Sequence, residues 1–449
     1  MHTALIRRVA ATTLLLLASP GGPLAAQEIA LAEPFKPGHT SRVEVQVKLT
    51  GKLALPTAEK GKPPQLVSVV GTSKLTYEER LLQPDDATLL KTVRAYREVE
   101  FERTVGDAKQ DAGIRPSVRR MVVIRSGERK APFSPDGPLT WGEIDVIRTD
   151  VFNPALVPGL LPPKPVKPGQ SWKAAAAAVA ELTDMEKVEE GGVAVEFVGV
   201  AKVNGRSLAR LKLSGTVRGV NEDGPNRQKL DGTAYFDLDA NILTYLSVRG
   251  THELLDGKGQ TAGVVEGQFT MTRSPVAKMP PDLSDAALRD LELKPTPENT
   301  LLLYDNADLG IRFLYPRGWR VGAVQGNQLT LDHARGGGLL FTVEPPAKVP
   351  SADDYLKETL GVLREKQKAT ITATDKPARV RAEPVQLDRF ALDATIGPNK
   401  LRLEYAVLKQ SDGGVTAAAT LPADDAELRP EVARIVRSLS VTKRIEEKK

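Results

Sequence analysis

The chain has 449 residues, 62 of them basic and 57 acidic, with four histidines and no cysteine. The missing thiols exclude a disulfide framework, a thiolate metal site, a cysteine nucleophile and a lipobox anchor. Lysine and arginine alternate with glutamate and aspartate instead of forming blocks, and aromatics are only 5% of the residues. Neither a basic nucleic-acid groove nor a base-stacking platform is therefore expected.

Residues 1–26 read as a secretory signal peptide. Arg7 and Arg8 precede an apolar run from Val9 to Ala18, Pro20 to Pro23 form a helix-breaking neck, and Leu24-Ala25-Ala26 offers small residues for cleavage before Gln27. The apolar run is too short to span a bilayer, and no other stretch approaches the roughly 18 apolar residues a spanning helix needs. Cleavage would remove two arginines and no acid, leaving a formal charge of about +3. The expected product is a soluble periplasmic or extracellular protein without a transmembrane anchor.

At roughly 100–200 residues per domain, two domains are expected. Period-two patterning dominates residues 35–274. In RVEVQVKL (42–49), Val43, Val45, Val47 and Leu49 share one face, and Arg42, Glu44, Gln46 and Lys48 share the other. That is a strand with one buried and one wet side. The pattern returns at 193–203, 207–220, 233–238 and 242–248, and with more noise at 66–81, 89–105 and 118–125. Connections such as VNGRS, NEDGPN, LDAN and DGKGQ carry the residues that hairpin turns require. Together these predict a large antiparallel meander, open or curled. One segment interrupts it: a proline-rich bridge at 154–168, then an alanine-rich stretch that predicts a short helix over 174–186. Leu182 and Met185 would pack it on the sheet, and Trp172 at its start would plug the core. Trp141 in PLTWGEIDVI could head a strand or rim a groove.

The prolines of 275–298 mark a linker around one weak helical piece near 284–291. Beyond it, 299–443 form a second domain, followed by a charged tail at 444–449. LGIRFLYPRGWRV (309–321) places Ile311, Phe313 and Tyr315 on one strand face, turns at Pro316-Arg317-Gly318, and resumes with Trp319 and Val321. Trp319 is expected in the core, making this stretch a corner of the fold. Strands are predicted at 328–332, 338–344, 385–396, 401–410 and 414–422. A helix opens at Ser351 with Asp354 three residues on, burying Leu356, Leu360 and Leu363. A last helix starts at Pro430 and buries Val432, Ile435, Val436 and Leu439. The fold class is α+β: a β-meander with a short helix, then an antiparallel sheet flanked by two helices.

These C-terminal motifs, with the closing RPEVARIVRSLSV, resemble the PsbP-like α/β/α sandwich over about residues 300–442. That superfamily includes extrinsic photosystem subunits and bacterial exported proteins. The resemblance implies a non-catalytic scaffold for protein contacts or stabilisation, and it carries over no catalytic residue. Residues 35–274 resemble the curved sheet of LolA-type lipoprotein carriers in topology and in LLPPKPVKPGQSW.

The motifs that could carry chemistry are incomplete. HELLD (252–256) lacks the second histidine of a zincin helix, since that position is Asp256. DLDAN (237–241) begins like a calcium loop, but Ile242 stands where glycine should follow and Val248 where the bidentate acid belongs. GTSKL and GRSLA miss the nucleophile elbow, GKGQT misses the phosphate loop, and Gly336 to Gly338 read as a hairpin tip. Glu98, Glu100 and Glu102 lie on the wet side of a strand. His39 and His333 complete the histidines left after cleavage. No catalytic, cofactor or metal set is expected, and no cofactor. The expected function is non-enzymatic: protein binding or scaffolding in the cell envelope. The alternative is a carrier whose curled sheet holds an apolar ligand such as a lipid, and an unfamiliar hydrolase is a third reading.

Overall fold

The computed structural model describes residues 28–55, 65–84, 89–126, 129–221, 224–381 and 385–446. The expected signal peptide and residues 447–449 of the expected tail lie outside them. The alternating sequences form long antiparallel strands: β1 (Thr40–Leu55), β2 (Gln65–Leu81), β3 (Leu89–Val105), β4 (Ala108–Asp111), β5 (Arg120–Ser126) and β6 (Arg129–Phe133). After a short β7 (Leu139–Thr140) come helices α1 (Trp141–Arg148) and α2 (Asn153–Leu160), strand β8 (Ser171–Lys173) and helix α3 (Ala176–Thr183). The meander then continues through β9 (Lys187–Val203), β10 (Arg206–Asn221), β11 (Gly224–Asp237), β12 (Ile242–Leu255) and β13 (Thr261–Pro275).

Twelve of these strands make one sheet in the order β6-β5-β3-β2-β1-β13-β12-β11-β10-β9-β8, with β4 paired to β3. The first strand joins the two halves, because β1 lies between β2 and β13. Arg125 of β5 makes an ion pair with Glu181 of α3, and α3 also packs on β9. These strands are eight positions apart, about 38 Å in a flat sheet at about 4.8 Å per strand, whereas eight helical residues extend about 12 Å. Both contacts hold only if the sheet curls around α3. It does so without closing into a barrel.

Glycine enables the curl. A Cβ on Gly215 would lie 2.2 Å from the Gly192 carbonyl oxygen, and one on Gly51 would lie 2.2 Å from the Val264 oxygen. Neighbouring strands approach there more closely than any side chain allows.

The expected helix is present as α3, with Met185 buried and Leu182 half-buried against the core. Trp172 is half-buried there, and its Nε1 donates to the Leu160 carbonyl at 2.9 Å. Two further helices are an addition to the sequence reading. α1 opens with a reciprocal capping box between Thr140 and Glu143, and α2 carries Pro154 in its first turn and Pro158 inside. Part of the segment read as a proline-rich bridge is thus helical. Trp141 is the first residue of α1 and heads no strand.

The segment after β13 is docked on the sheet. Leu283 and Leu288, the latter closing α4 (Asp285–Leu288), pack on Val93 and Ala95, while Leu293 packs on Val122, Ile124 and Phe133. Arg97 clamps Asp282 with bonds of 2.7 and 2.8 Å. At this end the sheet is covered on both faces.

The remaining chain forms β14 (Leu302–Asn306), β15 (Ile311–Tyr315), β16 (Trp319–Gln325), β17 (Gln328–His333), β18 (Gly338–Glu344), α5 (Ala352–Glu365), β19 (Thr370–Thr374), β20 (Ala378–Arg381), β21 (Gln386–Ile396), β22 (Asn399–Gln410), β23 (Gly413–Pro422), α6 (Leu428–Ser438) and β24 (Ser440–Val441). Eight strands, β16-β17-β18-β23-β22-β21-β19 with β20 on β21, make an antiparallel sheet. α5 covers one face through Leu363 on Leu392 and Leu403, and α6 joins the other through Val432, Ile435 and Val436. α6 begins two residues before Pro430. A separate four-stranded sheet, β24-β15-β14-β7, contains a parallel pairing of β14 with β7 from the preceding unit. The two units are therefore joined by backbone as well as by side chains. Ile445, in the expected tail, donates its N–H to the Asp412 carbonyl at 2.7 Å and packs against the core.

The stretch at 309–321 is the expected corner. The Trp319 N–H donates to the Pro316 carbonyl at 3.1 Å, and the indole is 1% exposed, with Nε1 donating to Glu431 at 2.8 Å. Trp319→Ala should destabilise the protein by about 3–5 kcal/mol, as large core truncations do. An unchanged denaturant midpoint would show that the indole contributes nothing to the core.

Candidate functional site

Alternation places one set of side chains from every long strand on the inner, helix-covered face. Near the helices the set is apolar and filled: Val43, Val45, Leu75, Leu246 and Met271 are buried. Among the described residues, three buried inner-facing arginines interrupt it, and each meets a carboxylate on a segment packed against that face. Arg94 on β3 reaches Glu79 at 2.8 Å, Asp150 at 2.7 Å and the Val151 carbonyl at 2.8 Å, and lies over the Tyr77 ring. Arg125 on β5 pairs with Glu181 of α3. Arg273 on β13 makes a two-pronged contact of 2.8 and 2.9 Å with Glu33 in the N-terminal segment. Burial pushes the Asp150 carboxyl up despite Arg94, and holds His39, 3.7 Å from Glu33, below the usual imidazole value.

Farther from the helices the inner face changes character. Paired positions across seven strands read Gly71, Leu49, Gly267, Gly250, Leu230, Gly215, Val193. The next row outward reads Val69, Gly51, Val265, His252, Gln228, Val217, Gly191. Glycines thin the side-chain layer between large apolar residues and leave a hollow of about 330 Å³. Val47, Leu49, Leu230, Val248, Val265 and Phe269 form its apolar floor, and Gln228 and His252 its polar side. The size is at the lower end of ligand sites, about 300–1,000 Å³.

Two larger hollows, of about 690 and 650 Å³, lie between the two units. They share Trp141, Arg148, Asp184 and Arg320. Trp141, which sequence left between two roles, rims this cleft and is 37% exposed. Arg148 ends α1 and Asp184 caps α3 in a left-handed conformation, φ 49°. The two side chains approach to 3.4 Å, and both also line the groove.

The motifs weighed in the sequence fall on strands and turns. His252 lies on β12 in the groove lining, and Asp256 closes the following turn by accepting the N–H groups of Lys258 and Gln260 at 2.8 Å. Asp237 does the same for Asp239 and Ala240, so DLDAN is a turn. Gly336, at φ 90°, and Gly337 complete the β17–β18 hairpin through His333. His333 stacks at a tilt on Trp319, with ring centres 5.3 Å apart. Glu98 pairs with Lys74 at 2.8 Å on the exposed face. Among the described residues, no group of three or more acids and histidines is placed to hold a metal ion. Nor is any helix of these residues long and apolar enough to cross a membrane.

No protein-family model and no curated protein matches this sequence. Among solved structures, the chain is similar to the cyanobacterial PsbP protein CyanoP of Synechocystis sp. PCC 6803, with 16% identity over 31% of this chain and 92% of that one, TM-score 0.27. It is also similar to the Ran-binding protein Mog1p of Saccharomyces cerevisiae, with 12% identity over 32% and 96%, TM-score 0.25. Lipovitellin, in a structure describing lipid–protein interactions, is 10% identical over 55% of this chain and 27% of that one, TM-score 0.32.

Two predictions follow from the inner-face charges. Arg94→Met leaves two buried carboxylates facing each other and should destabilise by about 3–5 kcal/mol. Adding Glu79→Gln and Asp150→Asn should recover at least half of that in urea unfolding. An equal loss in single and triple variants would show that packing, not charge, holds the helices. The second concerns pH. A depressed group stabilises above its unfolded value and loses that contribution as pH falls through its folded value. Stability should therefore drop first below pH 6.5 through His39, then below 4.5 through Glu143, held low by Arg115 and backbone donors, and below 3.8 through Asp282 beside Arg97. Asp150, raised by burial, acts in the opposite sense. His39→Gln should abolish the first step of the melting-temperature profile, and an unaltered profile would exclude His39 as its source.

Proposed function

We propose that this is an exported, non-catalytic binding protein of the cell envelope whose curled sheet carries an apolar ligand. The observation that carries the reading is the groove beside α3. The helices fill the inner face at one end only, and at the other the glycine-thinned rows leave Val47, Leu49, Val265 and Phe269 half-exposed on a concave wall. A soluble protein leaves such a lined hollow open at a cost in unburied apolar surface, about 25 cal/mol per Å². An acyl chain would recover it.

In this reading the C-terminal unit is a PsbP-like sandwich that makes protein contacts. Scaffolding alone is the second reading, favoured by the β7–β14 pairing, which fuses that unit to the first. Nothing in either reading calls for a cofactor.

Purified protein should take up a fluorescent fatty-acid analogue, and native mass spectrometry of protein from its own compartment should show co-purified lipid. Gly267→Leu is the informative variant. A Cβ there meets only the Lys48 carbonyl oxygen, at 3.9 Å, so the larger side chain can enter the groove without displacing backbone. It should weaken uptake at least about tenfold while leaving the melting temperature within about 2 °C. Absence of both uptake and co-purified lipid in the parent protein would remove the carrier reading and leave scaffolding.

A further inference from the structure

We infer that the cleft between the two units receives the anionic head, carboxylate or phosphate, of an amphiphile whose chain lies in the groove, with Arg317 as the anchoring cation. The inference rests on the carrier reading and adds the chemical class of the ligand.

Three observations support it. The hollows adjoin: the groove and the nearer cleft hollow share the lining residues Arg148, Glu181, Asp184 and Asn221. The Arg148–Asp184 pair forms the threshold between them and also borders the second cleft hollow. A chain entering the groove past this threshold therefore has its other end in the cleft.

The charges of the cleft are mostly spoken for. Arg103 meets Asp145 at 3.3 Å, Arg125 meets Glu181, and Arg148 meets Asp184. Asp305, another lining acid, pairs with Arg312, while Glu186 lies exposed at the rim. Arg317 differs. It belongs to the Pro-Arg-Gly corner, and its guanidinium donates to two neutral carbonyls, Thr300 at 3.1 Å and Pro132 of β6. Among the described residues no carboxylate lies within ion-pair distance of it. Burial alone pulls its pKa down to about 10, with no acid acting to raise it. A half-buried guanidinium without a counter-charge is costly. The third nitrogen has no hydrogen-bond partner among the described residues, so donor capacity remains. Arg320 lines both cleft hollows beside it.

The apolar and cationic parts are also ordered correctly for one ligand. Val47, Leu49 and Phe269 lie in the groove, and Arg317 lines the cleft hollow and not the groove. A free inorganic anion would use only the second part, and a neutral alkane only the first.

The test compares ligands of one chain length: a fatty acid, an alkyl phosphate, the corresponding fatty alcohol and inorganic phosphate, each by displacement of the fluorescent analogue and by calorimetry. The acid and the alkyl phosphate should bind at least about tenfold tighter than the alcohol, as hydrogen bonds to a charged group imply. Raising salt should narrow that gap. Arg317→Gln should erase it while leaving alcohol binding unchanged, and Arg317→Lys should restore part of it. Arg317 also clasps Pro132, so Arg320→Gln, at an exposed position, serves as the independent variant and should reduce the gap without lowering the melting temperature. Equal affinity for acid and alcohol, or a gap untouched by both glutamine variants, overturns the inference while leaving the carrier reading intact. Binding of inorganic phosphate without any chain preference overturns the shared site. Failure of all four ligands removes both readings together.

Discussion

The curl of the large sheet depends on one ion pair working with one apolar contact, on opposite sides of a two-turn helix. α3 offers Glu181 to Arg125 on β5 and an alanine-rich face to β9. Strands that would be far apart in a flat sheet are thereby held on either side of it. An arginine on the inner face could not simply be buried, since an unpaired charge there costs several kcal/mol. It must find its acid, and the acid sits on the inserted helices. Arg94 with Asp150 repeats the device one strand away, and Arg273 with Glu33 repeats it for the N-terminal segment. Buried ion pairs add little net stability, but here they decide where the inserted segments sit and hence which part of the inner face stays open.

The same placement determines the cleft. α1 is fixed by its capping box and by Arg115, which grips Glu143 through its backbone N–H and its guanidinium. That presents Trp141 and Arg148 outward, where β14 and the Trp319 corner of the second unit meet them. The parallel pairing of β7 with β14 comes immediately before α1, so the backbone that joins the units also starts the helix that lines the space between them. Groove and cleft are two consequences of one insertion, which is why they share the Arg148–Asp184 pair.

Much of this was legible in the sequence where a local rule suffices. The valines of 42–49 announced β1, Asn204-Gly205 announced the β9–β10 turn, and Ser351 with Asp354 announced the start of α5. α1 carried an unused signal, the Thr140-x-x-Glu143 box, masked by a glycine in its first turn. α2 was hidden by its two prolines, whose effect on an isolated helix is overridden by burial of Leu156, Val157 and Leu160. The docking of 281–293 was unreadable for a different reason. Its leucines cover Val93, Ala95 and Val122 on the outer face; alternation puts Val93 and Ala95 in phase with the inward Val99 and Phe101, and only the bulge that leaves Arg97 unpaired turns them outward. The cleft was not legible at all, because Arg317 and Arg148 are distant in sequence and meet a shared hollow only through the fold.

The groove did leave a trace that period-two reading passes over. Gly51, Gly71, Gly215, Gly232, Gly250 and Gly267 fall in the apolar phase of their strands, where valine or leucine is expected, and not in the turns. Glycine inside a strand weakens it, so one such residue is a defect, whereas six within three neighbouring rows, four of them (Gly71, Gly267, Gly250 and Gly215) in a single row, require a reason. Two reasons act here at once. At Gly51 and Gly215 the neighbouring backbone comes too close for a Cβ, which serves the curl. At Gly267 the nearest atom is at ordinary contact distance, so packing does not demand glycine there. What the missing side chain leaves at that position is space, on the wall that faces the groove.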